Sequence, residues 1–173
     1  PASRIACSAR SVAAWLSCRD LRNPSIFCKN SLGPPASSNS GVPLVFETVV
    51  PSSLQVSIVT FRPDWQLLER CLRKLALAIG AARESGVLRT VHVALVDNSA
   101  DRAIAAKVVD LGRTRFADSG VQVSYVHGHA NIGYGAAHNL ALHGSGADYH
   151  LVLNPDVELA ADALLNAVRW MNA

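Results

Sequence analysis

Between Leu54 and the end of the chain, short β-branched runs alternate with amphipathic stretches four times, in the order β-α-β-α-β-α-β-α. That alternation predicts an α/β fold with a mostly parallel sheet, helices on both faces and right-handed crossovers. Val56-Ser57-Ile58-Val59-Thr60-Phe61 reads as the first strand. Pro63 stops it, and Asp64 stands where it can cap a helix. In that helix Leu68, Cys71, Leu72, Leu75 and Ile79 fall on one stripe, and Gly86 closes it. Val91 to Val96 is almost wholly apolar, as a strand covered on both faces should be. A weaker helix follows from Asp101 to about Phe116. Val121, Val123 and Tyr125 alternate with polar residues, which places the third strand toward a sheet edge. A glycine-rich loop leads into a short helix, Tyr134 to His143, and Tyr149 to Leu153 is the fourth strand. Asp162 stands as the cap of a last helix with Leu164, Leu165, Val168 and Met171 on its apolar side. Four strands make a thin open sheet, so the pattern reads as truncated.

Residues 1–53 have another texture. Pro34-Pro35 and Ser37-Ser38-Asn39-Ser40-Gly41 read as linker. The segment is expected to be a disordered or extraneous extension ahead of the domain at 54–173. Its Arg- and Ser-rich, acid-poor start matches a transit peptide in composition, but it lacks an amphipathic arginine stripe. It holds five basic and two acidic residues, whereas residues 54–173 hold eleven of each sign, so the whole net charge of +3 lies in the extension. The domain therefore has no electrostatic footprint for nucleic acid. Cys7, Cys18, Cys28 and Cys71 form no C-x-x-C pair and read as reduced thiols, which suits the cytoplasm. No apolar run approaches the roughly 20 residues that span a bilayer.

In open α/β sheets, ligands bind beyond the carboxyl ends of the strands. The first strand ends at Thr60, the second at Asp97-Asn98-Ser99, and the fourth at Asn154-Pro155-Asp156. The third runs into His127-Gly128-His129-Ala130-Asn131-Ile132-Gly133-Tyr134-Gly135. Taken singly, Asp97 suits a turn, Gly133 and Gly135 suit a loop, and Asp156 suits a helix approach. Taken together they form a rim. The glycines precede a helix whose free N–H groups suit a phosphate, and a strand-end carboxylate suits magnesium or manganese.

The succession Val56 to Phe61, Leu95-Val96-Asp97-Asn98-Ser99, Asn131-Ile132-Gly133-Tyr134-Gly135-Ala136-Ala137-His138-Asn139 and Leu151-Val152-Leu153-Asn154-Pro155-Asp156-Val157 resembles the family 2 glycosyltransferases, closest to their rhamnosyltransferase-like branch. The resemblance covers about residues 54–173. It implies a GT-A, Rossmann-like fold that binds a nucleotide-diphospho-sugar donor. By it, Thr60 lines the nucleotide pocket, Asp97 contacts base or ribose, and Asn131 and Gly133 shape the loop over the donor. Asn154-Pro155-Asp156 stands where most of the family has Asp-x-Asp, so Asp156 is the implied ligand of a divalent metal, Mg or Mn.

The implied chemistry is inverting glycosyl transfer to a glycan or lipid-linked acceptor, with rhamnose as the sugar of the nearest branch. In the family the general base lies in the second half of the domain, so it is expected beyond Ala173, and this chain alone is expected to bind donor with little turnover. The implied setting is the cytoplasm, at the inner face of the membrane if absent segments provide contact. Rival readings fit the residues less well. A dinucleotide-binding fold needs G-x-G-x-x-G after the first strand, where Phe61-Arg62-Pro63-Asp64 stands. No Walker A motif or G-x-S-x-G elbow is present. His127, His129 and His138 have no fourth zinc ligand at a sensible spacing. The alternative outside enzymes is a degenerate domain that binds nucleotide sugar without transfer.

Overall fold

The computed structural model describes the backbone of residues 11–14 and 26–30 and all of residues 52–173. In chain order the elements are β1 (Ser11–Ala14), β2 (Ile26–Asn30), β3 (Ser52–Thr60), α1 (Trp65–Glu84), β4 (Leu88–Asp97), α2 (Arg102–Phe116), β5 (Gln122–Val126), α3 (Tyr134–Leu142), β6 (Tyr149–Leu153) and α4 (Ala163–Asn172). From β3 onward this is the α/β alternation read from the sequence. The strands form one sheet ordered β1-β2-β6-β3-β4-β5. β6, β3, β4 and β5 are parallel, with Ile58 beside Leu153 and Thr60 beside Asp97. β5 is an edge strand, as its alternating pattern predicted.

Strand alternation divides the side chains between two layers. Leu54, Val56 and Ile58 of β3, Val91, Val93 and Leu95 of β4, and Tyr149, Leu151 and Leu153 of β6 share one core with α1, α2 and α4. The α1 stripe of Leu68, Cys71, Leu72, Leu75 and Ile79 is buried in it, together with Ala78 and Ala82. Each large aliphatic side chain there contributes about 1.5–3 kcal/mol by leaving water. Among the described helices α3 alone lies on the opposite face, where Ala137 meets Val59 and Val96. That face is more polar. Gln55 Nε2 donates to the Ala141 carbonyl at 3.2 Å, and its Oε1 shares a 2.7 Å hydrogen bond with His92 Nδ1.

Two strands of the N-terminal segment join the sheet. β1 and β2 pair antiparallel, and β2 pairs antiparallel with β6, Ile26 opposite Val152 and Lys29 opposite Tyr149. Two stretches of the expected extension thus continue the sheet; the rest of residues 1–51, with the Pro- and Ser-rich stretches, lies outside the described residues. The β6 edge explains the pairing, since an unpaired edge presents a row of N–H and C=O groups to any extended segment. β3 also starts earlier than its apolar run. The Ser53 N–H and hydroxyl both donate to Asp148 Oδ2 at 2.7 Å, and the Asp148 N–H donates back to Ser53 Oγ at 3.0 Å.

Helix starts follow the acids. Asp64 Oδ1 accepts from the N–H groups of Gln66 and Leu67 at 2.9 and 3.0 Å, and Asp101 Oδ1 does the same for Ala103 and Ile104 at 2.8 and 3.3 Å. Asp162 departs from its expected role. It precedes α4 but makes no side-chain cap; its Oδ2 accepts from the Asn166 side-chain amide at 2.9 Å, a competing partner one turn along.

One glycine is set by packing alone. A Cβ on Gly112 of α2 would lie 2.6 Å from Leu95 Cδ1 and 3.0 Å from the Tyr125 ring and hydroxyl. Gly112→Ala should therefore lower stability by up to about 2 kcal/mol, because overpacking of about 1–3 kcal/mol is set against a helix-propensity gain near 1 kcal/mol. A urea midpoint equal to or above that of the parent chain would contradict this.

Candidate functional site

Helices change faces between β3 and β6. The chain moves outward from β3 to β4 and β5 through α1 and α2, then returns through α3 on the other face to place β6 on the far side of β3. That reversal is a switch point in the strand order, and in open α/β sheets ligands usually bind there, beyond the carboxyl ends of the strands. Thr60 and Asn154 end the two strands that flank it.

Thr60 is fully buried, and its hydroxyl donates to Asp97 Oδ1 at 3.2 Å. The same oxygen accepts from the Ser99 hydroxyl at 2.7 Å and the Ser99 N–H at 3.2 Å. The Asn98 N–H donates to the Thr60 carbonyl at 2.8 Å, continuing the ladder one residue past the strand. Thr60 and Asp97 thus share one polar knot. Beside it, Phe61 is half exposed, and Arg62, at a φ of 46°, donates its N–H to Ser99 Oγ at 2.8 Å. The Arg62 guanidinium lies 5.7 Å from the Phe61 ring centre, within cation–π range.

Asn131 Oδ1 accepts from the Gly133 N–H at 2.9 Å, forming an Asx turn. Gly133 has a φ of 87° and a ψ of 159°, a conformation open in practice to glycine alone, and it precedes α3 with no side-chain cap. The first N–H groups of α3 are therefore left without a capping side chain at an exposed loop. The Gly133 carbonyl accepts from the Asn98 side-chain amide at 3.3 Å, which draws the loop to the end of β4. Asn98 is buried, and its Oδ1 has no hydrogen-bond partner among the described residues.

The loop also reaches β6. The Tyr134 hydroxyl donates to Asn154 Oδ1. The Asn154 carbonyl in turn accepts from the Val157 N–H at 3.3 Å and from the Cys71 thiol of α1 at 3.4 Å. Burial, with Asp156 and Glu158 nearby, pushes the Cys71 thiol up to about 12, so it stays a protonated donor. Asp156 is exposed in the turn that follows. Burial, and then the negative charge of Asp156, raises the Tyr134 phenol above its usual value. Hydrogen bonds thus join Thr60 to Asp97, Asn131 to Gly133, and the β6 turn that bears Asp156 to the same loop.

Four participants have no role at the rim in the sequence reading: Asn98, Tyr134, Arg62 and His138, the last weighed there only as a zinc ligand. His138 is fully buried beneath the loop, sharing a 2.5 Å hydrogen bond with Ser57 Oγ and meeting the Tyr134 ring edge-on at 4.3 Å. It faces the sheet and not the other loop histidines, and no group of three or more His, Cys, Asp or Glu side chains able to hold a metal occurs among the described residues. Asn154 Oδ1, the other oxygen of the Asn-Pro-Asp turn, is engaged by Tyr134. The chain thus offers a divalent ion one carboxylate at this turn. That fits an ion held jointly with a diphosphate, as magnesium commonly is, and does not fit an all-protein metal cage.

No protein-family profile and no curated protein matches the chain. Among solved structures, residues 1–349 of S. aureus TarS superpose with a TM-score of 0.51 at 19% identity, covering 69% of this chain. This chain spans 32% of that structure. At this identity the likeness is one of fold, and it agrees with the Rossmann-like α/β architecture.

Proposed function

We propose that the chain is the donor-binding part of a glycosyltransferase, taking a nucleotide-diphospho-sugar at the switch point between β3 and β6. The observation that carries this reading is the convergence of the Thr60–Asp97 knot, the uncapped start of α3 and the Asp156 turn on one rim. The fold likeness to TarS, a glycosyltransferase, supports it. Thr60 and Asp97 would hold the nucleoside, and Phe61, with Arg62 over its ring, offers a flat face to a base. The loop of Asn131 and Gly133 would lie over the diphosphate, with the α3 N–H groups directed toward its charge. Asp156 would hold a magnesium or manganese ion, which when bound supplies positive charge to the diphosphate leaving group. The remaining residues orient the donor so that an acceptor hydroxyl approaches the anomeric carbon from the face opposite the diphosphate, which inverts that centre.

The finer assignment is a rhamnosyl-type transfer from a thymidine diphosphate donor to a glycan or lipid-linked acceptor, inside the cytoplasm at the membrane surface. No helix among the described residues is long and apolar enough to cross a membrane. The group that takes the acceptor proton is not assigned to any rim residue.

Calorimetric titration of uridine, thymidine and guanosine diphosphates, with and without manganese, tests the proposal. One nucleotide should bind in a metal-dependent manner, and Asp156→Ala should remove the metal-dependent part while the circular dichroism spectrum is unchanged. A folded chain that binds none of the three would refute the donor-site reading. Tight manganese binding without nucleotide would refute the shared-ion arrangement.

A further inference from the structure

Tyr134 begins α3 directly after the loop, yet its hydroxyl is bound at the end of β6. Both ends of that contact are fixed. Asn154 is held through its carbonyl by Val157 and by the Cys71 thiol, so its side chain projects from an anchored backbone. The Tyr134 ring rests edge-on against His138, which is bonded to Ser57 in the centre of β3. On the other side of the same loop, Asn98 holds the Gly133 carbonyl. The loop is therefore clamped at two points, by side chains from the ends of β4 and β6.

We propose that Tyr134 is a positioning residue: its bond to Asn154 ties the uncapped start of α3 to the Asp156 turn, so that the groups facing the diphosphate and the group facing the metal keep one arrangement. The proposal rests on the donor-site reading above. It also gives Asn154 a task other than metal ligation. An amide oxygen accepts the phenol hydrogen without adding a second negative charge beside Asp156, whereas a carboxylate there would offer the same oxygen to the ion. In this structure the oxygen belongs to the clamp.

Tyr134→Phe removes the bond and keeps the ring on His138. Three quantities separate positioning from general support: affinity for the nucleoside monophosphate, affinity for the diphosphate with and without manganese, and backbone hydrogen exchange. In Tyr134→Phe the monophosphate, held at the Thr60–Asp97 side, should bind within about twofold of the parent. The manganese-dependent gain for the diphosphate should fall about tenfold, as expected for one hydrogen bond of about 1.4 kcal/mol. Exchange should quicken at residues 131–136 and 154–157 together. Asn154→Ala should show the same loss, and the double variant should lose no more than either single one. Additive losses, or an unchanged manganese gain with unchanged exchange, would overturn the proposal. Should the parent chain bind no nucleotide, the donor-site reading and the positioning role would fall together, and faster exchange in both segments would then identify a clamp of purely structural use.

Discussion

Asp97→Ala is expected to destabilise the chain by about 2–4 kcal/mol and to abolish nucleoside binding, whereas Asp97→Asn should keep the fold and weaken binding by tenfold or more. Asp97 Oδ1 accepts three hydrogen bonds, from Thr60 Oγ1, Ser99 Oγ and the Ser99 N–H. Alanine removes all three and leaves the fully buried Thr60 hydroxyl with a 3.5 Å contact to the Val96 carbonyl as its other partner. Hydrogen bonds to a charged acceptor are worth about 1.5–3 kcal/mol each, and stranded buried donors cost about 1–3 kcal/mol. Partial resolvation of the half-buried Ser99 keeps the total below the simple sum. Asparagine presents an oxygen of the same shape to the same donors and lacks only the charge. Because Oδ1 is committed to the turn, the proposed contact to base or ribose falls to Oδ2, which asparagine replaces with an amide nitrogen. Urea denaturation and nucleotide titration of both variants check the two halves separately. An alanine variant as stable as the parent would show that the knot is not a support of the rim.

His138 sets the second large effect. Burial lowers its imidazole to about 4 from an ordinary 6.5. Its Nδ1 is shared with Ser57, and its Nε2 is buried without a partner among the described residues, so an added proton would have no acceptor there. The unfolded chain takes up that proton near pH 6.5 and the folded chain does so near pH 4. The stabilising contribution is therefore complete above pH 6.5 and is lost as pH falls toward 4. The loss amounts to roughly 3 kcal/mol, at about 1.4 kcal/mol per pH unit. Burial lowers His92 and His150 as well, so they steepen the same limb. Denaturation at a series of pH values from 7.5 to 4.5 measures the slope, and His138→Met should flatten it, although it starts from lower stability because Ser57 loses its partner. A parent chain equally stable at both ends of the range would contradict this account.

Sequence pattern disclosed the elements of this fold where periodicity was strong. The α1 stripe and the Asp64 cap are written in local spacing, and each is found as read. Asp162 was misread because a helix-start acid can bond forward to a side chain, here Asn166, as readily as to the backbone. β1 and β2 escaped notice because their pairing depends on an edge that only the folded sheet presents; nothing local in Ile26-Phe27-Cys28 announces a partner in β6. The rim shows the same division. Thr60, Asp97, Asn131, Gly133 and Asp156 lie where the strand-end rule locates polar residues. Asn98 and Tyr134 look like an ordinary turn residue and an ordinary helix start, and their importance rests on bonds that span 35 and 20 residues. His138 reads as one of three loop histidines weighed for zinc, and its burial follows from α3 packing against β3 and β4.

The switch point has a consequence for how the chain is made. β3 can pair with β4 as soon as α1 and β4 have been made, but its other neighbour is β6, and Ser53 waits for Asp148, 95 positions further along. Such distant closure is slow relative to local pairing. While synthesis runs from the second strand of the parallel set to the fourth, one whole side of β3, with its run of Val56, Ile58 and Val59, is an open template. The nascent chain is then prone to association, and the proposed donor site, built on that same seam, cannot form until β6 pairs with β3.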